Sequence, residues 1–268
     1  MDRPEWAPED VDLDRPTAAR AYDYLLGGAH NFAADREMIR AAMSFMPDLA
    51  LQAQANRAFL RRAVRYLVDV GVRQFLDIGS GIPTRGNVHE IAQRAAPDAR
   101  VVYVDIDPVA VSHGRHFLAG NPHTYVLQED VRNPTDIVKH PDVTDLLDFE
   151  RPIGLLMVAL LHVVPDADDP YGVVAHLRDE LSPGSHIVIA HGTHDSRPED
   201  VARLTAISKR TPTAMSTRSK AEVERFFDGF ELVDPGVTWA PLWRPDSPED
   251  VPEDPGRSGN YVGVGRLA

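Results

Sequence analysis

The stretch Phe75-Leu76-Asp77-Ile78-Gly79-Ser80-Gly81 decides how this chain folds. It reads as a buried apolar strand that carries an acid near its end and runs into a tight glycine turn. Glycines in such a turn let backbone amides approach a ligand at the carboxyl edge of a parallel sheet, where open α/β folds place their crevice. A second apolar strand, Val101-Val102-Tyr103-Val104, ends in Asp105, a carboxylate placed to grip ribose hydroxyls. Two strands, a glycine turn and an acid at each tip are the pattern of a nucleoside-binding βαβ unit.

Outward from this unit the pattern alternates. Strand 73–78 leads to a helix over 87–95, with Val88, Ile91, Ala92 and Ala95 on one face. Strand 100–105 leads to a helix that Asp107 caps and Pro108 opens. Strands follow at 124–128, 153–159 and 185–190, with a helix at 169–181. The near-continuous apolar character of 153–159 marks a central strand covered on both faces. Five βα repeats predict an α/β fold with a doubly wound sheet. The rhythm then breaks. Ser219 and Glu222 form a capping box for a helix over 220–228, and strands at 229–238 and 261–267 follow with no helical crossover between them. They are expected to pair antiparallel. The loop 244–258 between them, with four prolines and five acids, has the composition of a mobile segment.

Three helices precede the first strand. The first starts near Asp14-Arg15-Pro16 and stops at Gly27-Gly28; the others cover 35–45 and 48–70. Residues 1–70 therefore read as a helical extension or cap, ahead of a Rossmann-like domain over 71–268.

Composition narrows the chemistry. With a net charge of −13, and no basic cluster beyond Arg61, Arg62 and Arg65, no nucleic-acid partner is expected. The chain has no cysteine, which excludes disulfides, thiolate catalysis and cysteine-ligated zinc. Its N-terminus is acidic and polar, unlike a signal peptide, and its longest apolar run, 153–164, is too short to span a bilayer. No membrane partner is expected, and the protein should be cytoplasmic. His191, His194 and Asp195 could be drawn as a metal site, but no predicted helix puts the histidines on one face, so no metal is assigned. His113 and His116 are expected to be solvated.

The glycine turn discriminates between cofactors. A dinucleotide site wants a third glycine opening directly into a helix, but Thr84 stands there and Pro83 delays the helix. A pyrophosphate would also be repelled by Asp77. S-adenosylmethionine carries no phosphate, and its ammonium can lie near that carboxylate.

Asp77-Ile-Gly79-Ser-Gly81, Asp105 in Val-Tyr-Val-Asp-Ile-Asp-Pro, and Gln128-Glu-Asp130-Val131 resemble the successive motifs of class I S-adenosylmethionine-dependent methyltransferases. Arg15-Pro-Thr-Ala-Ala-Arg20-Ala-Tyr22-Asp23, Asn31-Phe32-Ala-Ala-Asp35-Arg36, Asn87-Val-His-Glu90 and Trp243-Arg-Pro245 resemble, more narrowly, a largely uncharacterised actinobacterial family of these enzymes. The resemblance implies a seven-stranded sheet of order 3-2-1-4-5-7-6 with the last strand antiparallel. It implies a Gly79-Ser80-Gly81 turn under the amino acid end of the methyl donor, ribose on Asp105 beside Ile106, adenine against Asp130 and Val131, and methionine contacts from Ala159 and Leu160. S-adenosylhomocysteine would be the product. The departure from the pattern is Pro83, where many members have a third glycine.

His162, where the fourth strand opens toward the crevice, is the candidate base. Tyr22, His30, Asn31 and Phe32, clustered around Gly27-Gly28, are candidate substrate-binding residues. The reading is a methyltransferase acting on a small-molecule acceptor, which the sequence does not name; nor does it give the oligomeric state. Two other readings stay open at this point: a regulator that binds the cofactor without turnover, and an NAD-dependent oxidoreductase.

Overall fold

The computed structural model describes residues 4, 6–9, 11–83, 86–209 and 214–268. Thr84, the residue at the third glycine position, lies outside them.

The sheet is built from β1 (Gln74–Ile78), β2 (Arg100–Asp105), β3 (Thr124–Gln128), β4 (Ile153–Val158), β5 (His186–Gly192), β6 (Glu231–Leu232), β7 (Thr238–Trp239) and β8 (Asn260–Arg266). Its order is β3-β2-β1-β4-β5-β8-β6, with β7 also on β8. The first five strands are parallel, and β8 runs antiparallel to β5. The expected strand over 229–238 is split in two. Gly236, with φ +79°, donates its amide to Val233 O in a tight turn beside Pro235, which has no amide to give the ladder. Both pieces pair antiparallel with β8, Leu232 opposite Gly265 and Trp239 opposite Tyr261. The expected order is therefore present, with its sixth strand interrupted.

Around the sheet lie α1 (Ala18–Leu25), α2 (Ala33–Met43), α3 (Leu49–Asp69), α4 (Val88–Ala95), α5 (Pro108–Leu118), α6 (Pro134–Val138), α7 (Pro141–Leu146), α8 (Pro170–Asp179), α9 (Pro198–Ser208) and α10 (Lys220–Glu224). Asp107 caps α5 by accepting the Val109 amide, and Ser219 with Glu222 caps α10, as the sequence signals. Strand alternation sends Phe75, Val101 and Leu156 to one face and Leu76, Val102 and Leu155 to the other. The second face packs on α6, α7 and α8 through Ile137, Val143 and Leu177. The first packs on α3 and α4 through Phe59, Val64, Leu67 and Ile91. Although α3 precedes β1 in the chain, it belongs to the same core as the sheet.

The loop 244–258 is tied down along α3. Asp246 pairs with Arg61 and Arg65, and Arg257 donates two hydrogen bonds to Asp48. Just before it, Trp243 is fully buried edge-on to Phe59, and buried Arg62 donates to the carbonyls of Trp243 and Ala240. One acid, Asp246, and one base, Arg257, thus anchor this loop to α3 and its N-cap.

Trp243 is fully buried, edge-on to both Phe59 and Tyr66. Trp243→Ala is expected to cost about 3–5 kcal/mol, read as a lowered urea midpoint at unchanged slope.

Candidate active site

At the carboxyl ends of the central strands the chain leaves a cavity of about 560 Å³. One wall is made of strand tips: Asp77 to Gly81, Asp105 to Pro108, Glu129 to Arg132, Val158 to Leu160, and Gly192 with Thr193. The other is made of α1, α2, α3 and α9.

The glycine turn is specified tightly. Gly79 has φ +73°, and a Cβ there would meet the Leu160 side chain at 2.7 Å. The Gly79 amide donates to Val104 O at 2.8 Å. Gly81, with φ +68°, donates its amide to Asp105 Oδ2 at 2.7 Å. Asp105 Oδ1 accepts the Asp107 amide at 2.9 Å. One carboxylate therefore fixes both the turn after β1 and the entry to α5.

Two acids at the turn are held above their usual range. Burial, reinforced by Asp105 and opposed by Arg57, pushes Asp77 up to about 7. Burial, against the amides of Asp107 and Gly81, pushes Asp105 up to about 6. Asp130 behaves differently: against the cost of burial, hydrogen bonds from the Arg132 guanidinium and amide hold it below the usual value. Arg132 also reaches Asp168. Ile106 is 52% exposed at the cavity, an apolar surface beside Asp105. Ala159 has φ +61°, a left-handed conformation costly for a residue with a Cβ, at the end of β4.

His162 lines the cavity with its Nδ1 buried and without a hydrogen-bond partner. Burial and the nearby Arg218 guanidinium press its pKa down to about 4, so the ring is neutral at pH 7. His191 is fully buried, with Nε2 2.8 Å from Arg218 Nη1 and Nδ1 2.8 Å from Gly192 O. Both ring nitrogens are thus engaged, and no metal can use them. Among the described residues, no group of three histidines or acids could hold a metal ion.

Of the four residues expected at the acceptor, Tyr22 alone lines the cavity. Its hydroxyl donates to Ala53 O at 3.1 Å and accepts from Asn56 Nδ2 at 2.8 Å. That orientation leaves Asn56 Oδ1 buried with no partner. The other three are used in packing. Asn31 gives its amide to Asp23 and to Gly28 O, Phe32 stacks on Trp6 under Arg20, and His30 sits 3.9 Å, ring to ring, from His113. His113 is buried, contrary to the expectation that it is solvated, while His116 is exposed. Polar residues around a glycine pair looked like a binding loop because the sequence hides their internal partner, Asp23.

Sequence reasoning missed α9, which supplies Val201, Leu204 and Ile207 to the cavity. Pro198 followed by Glu199 and Asp200, with Val201 and Leu204 three apart, is the signal that marks it.

These features suit a cationic, phosphate-free nucleoside. The turn carries buried acids on both sides, the Gly81 amide is already committed to Asp105, and α4 does not begin until Val88, so the turn does not open directly into that helix. A sequence model of the S-adenosyl methyltransferase family matches residues 4–268. The chain belongs to that family. Two crystal structures share its fold over nearly the whole length, each with a TM-score of 0.92. A candidate methyltransferase from Thermobifida fusca YX is 43% identical, over 98% of this chain and 99% of its own. A DUF574 family protein from Streptomyces avermitilis MA-4680 is 38% identical, over 96% and 99%. An O-methyltransferase family protein from Burkholderia thailandensis, 14% identical over 84% of this chain and 62% of its own at a TM-score of 0.50, shares the fold alone. No curated protein matches. The protein is an S-adenosylmethionine-dependent methyltransferase, and among its described residues no helix is long and apolar enough to cross a membrane.

The raised pKa of Asp77 links the methyltransferase's stability to its binding site. Its folded pKa, about 7, lies above the ordinary 3.8, so the fold penalises the ionised form. That penalty is full above pH 7 and fades as the pH falls toward 4. Asp77→Asn is therefore expected to stabilise the ligand-free protein by roughly 1–3 kcal/mol at pH 8 and little at pH 4.5. Urea unfolding at the two pH values measures the difference. The same variant should bind S-adenosylmethionine more weakly.

Proposed function

We propose that the enzyme methylates a small molecule held in the single cavity between the strand tips and the N-terminal helices. The observation that carries this reading is the continuity of that cavity, which brings the nucleoside-type site and a helix-walled chamber into one space. When bound, S-adenosylmethionine supplies an electrophilic methyl group on a sulfonium and departs as the neutral thioether S-adenosylhomocysteine.

The chain's own residues then have separable tasks. Gly79, Ser80 and Gly81 form the floor under the amino acid end of the donor, with Asp77 as counter-charge to its ammonium. Asp105 accepts the ribose hydroxyls, and Ile106 gives the base an apolar wall. Asp130 and the Val131 amide meet the adenine edge, while Ala159 and Leu160 flank the methionine portion. Placing donor and nucleophile side by side carries much of the acceleration in such a displacement.

On the acceptor side, His162 is neutral and can take a hydrogen bond from the acceptor's hydroxyl or amine, orienting the lone pair that attacks. Its low pKa keeps it from holding the proton for long, so the proton leaves to water. His162→Ala is expected to lower kcat at least about tenfold. The His162 inflection in the pH profile should fall near the depressed value of about 4 and not near 6.5. Wild-type turnover in the variant would discard this role.

Asp105→Ala should weaken S-adenosylmethionine binding by roughly 1–3 kcal/mol in calorimetry, through loss of charge-assisted hydrogen bonds. The reaction class is tested with methyl-labelled S-adenosylmethionine and a whole-cell extract. Label is expected in a low-mass compound; label confined to protein or nucleic acid would overturn the small-molecule assignment.

A further inference from the structure

The helix-walled end of the cavity differs in character from the strand-tip end. It is lined by Met38, Ile39, Met46, Leu204, Ile207 and Met215, with no charged side chain among them. Half of the chain's six methionines are in this one wall. Unbranched thioethers adapt their shape to an apolar guest and offer it no strong hydrogen bond. Most polar side chains nearby are committed to the protein, Asn56 Oδ1 on the α3 wall being the exception. Ser208 Oγ donates to Thr205 O and accepts the Met215 amide, Gln52 donates to Arg257 O, and Arg197 is paired with Asp48 and Asp200. A charged group lying against the six apolar side chains would lose its hydration, and they offer it no partner. The overall charge of −13 adds repulsion against anions.

We infer that the methyl acceptor is an uncharged, predominantly apolar molecule whose body lies between α1, α2, α3 and α9. This rests on the cavity being the site of methyl transfer. α9 is what makes the chamber: Val201 and Leu204 join Ala42, Met46 and Leu49 in one apolar cluster, so the helix after β5 and the helices before β1 enclose the guest together. An apolar chamber of this kind suits a compact ring system better than a polar peptide or a nucleic-acid strand.

The test uses the enzyme saturated with S-adenosylhomocysteine and two fluorescent probes, 2-naphthol and its charged analogue 6-hydroxynaphthalene-2-sulfonate, titrated at pH 7. Binding of 2-naphthol at least tenfold tighter than the sulfonate is expected. Leu204→Trp, which fills the chamber, should weaken 2-naphthol at least tenfold and leave S-adenosylhomocysteine affinity within twofold. Equal or tighter binding of the sulfonate to the wild-type enzyme would overturn the inference, whatever the variant does. So would unchanged 2-naphthol affinity in a Leu204→Trp protein that still binds S-adenosylhomocysteine. A wild-type enzyme that fails to bind S-adenosylhomocysteine would instead remove the methyl-transfer reading on which the inference stands.

Discussion

The carboxylate of Asp105 is the joint on which the site is built. One oxygen holds the Gly81 amide and with it the glycine turn; the other holds the Asp107 amide at the start of α5. Asp107 passes the connection on, because its own carboxylate caps α5 and accepts the hydroxyl of Thr17. Thr17 in turn donates its amide to Asp35 and accepts from Arg20, a guanidinium that is 1% exposed and 3.4 Å from Asp35. A line of buried acids and one buried arginine thus runs from the tip of β2 into α1 and α2. Two of the helices that wall the cavity, α1 and α2, are positioned by the same network that shapes the glycine turn.

Such a network costs desolvation, and its members have few ways to be replaced singly. Asp35 is fully buried, and burial raises its pKa despite the amides of Phe32 and Thr17 and the charge of Arg20. A buried ion pair of this kind contributes little net stability against an apolar isostere. What it does supply is direction: the bonds of Arg20 reach Asp12 O and Arg15 O as well as Thr17, so the chain before α1 has one way to lie.

Much of this was legible in the sequence, and the limits follow from what periodicity can carry. The glycine turn, the strand-tip acids Asp77, Asp105 and Asp130, and the cap at Asp107 are local signals, and each sits where local chemistry puts it. The sheet order follows from the βα rhythm and the motif resemblance. By contrast, Asn31 and Phe32 could not be told from ligand-binding residues, because their partners Asp23, Trp6 and Arg20 are brought to them only by tertiary folding. His113 went astray for the same reason: its helix neighbours are polar, and the rings that bury it come from His30 and Trp6. The loop 244–258 shows the opposite error, where an acid-rich composition suggested freedom but Asp246 alone ties it to the arginines of α3.

The split between β6 and β7 has a consequence for the protein in crowded solution. β8 is paired along one side by β5 and on its other side by two-residue segments at 231–232 and 238–239. The outermost margin of the sheet is therefore broken by the excursion through Pro235 and Gly236, and it presents no long row of open amides and carbonyls. At this edge a neighbouring polypeptide has nothing continuous to add itself to, which guards this side of the sheet against edge-to-edge pairing.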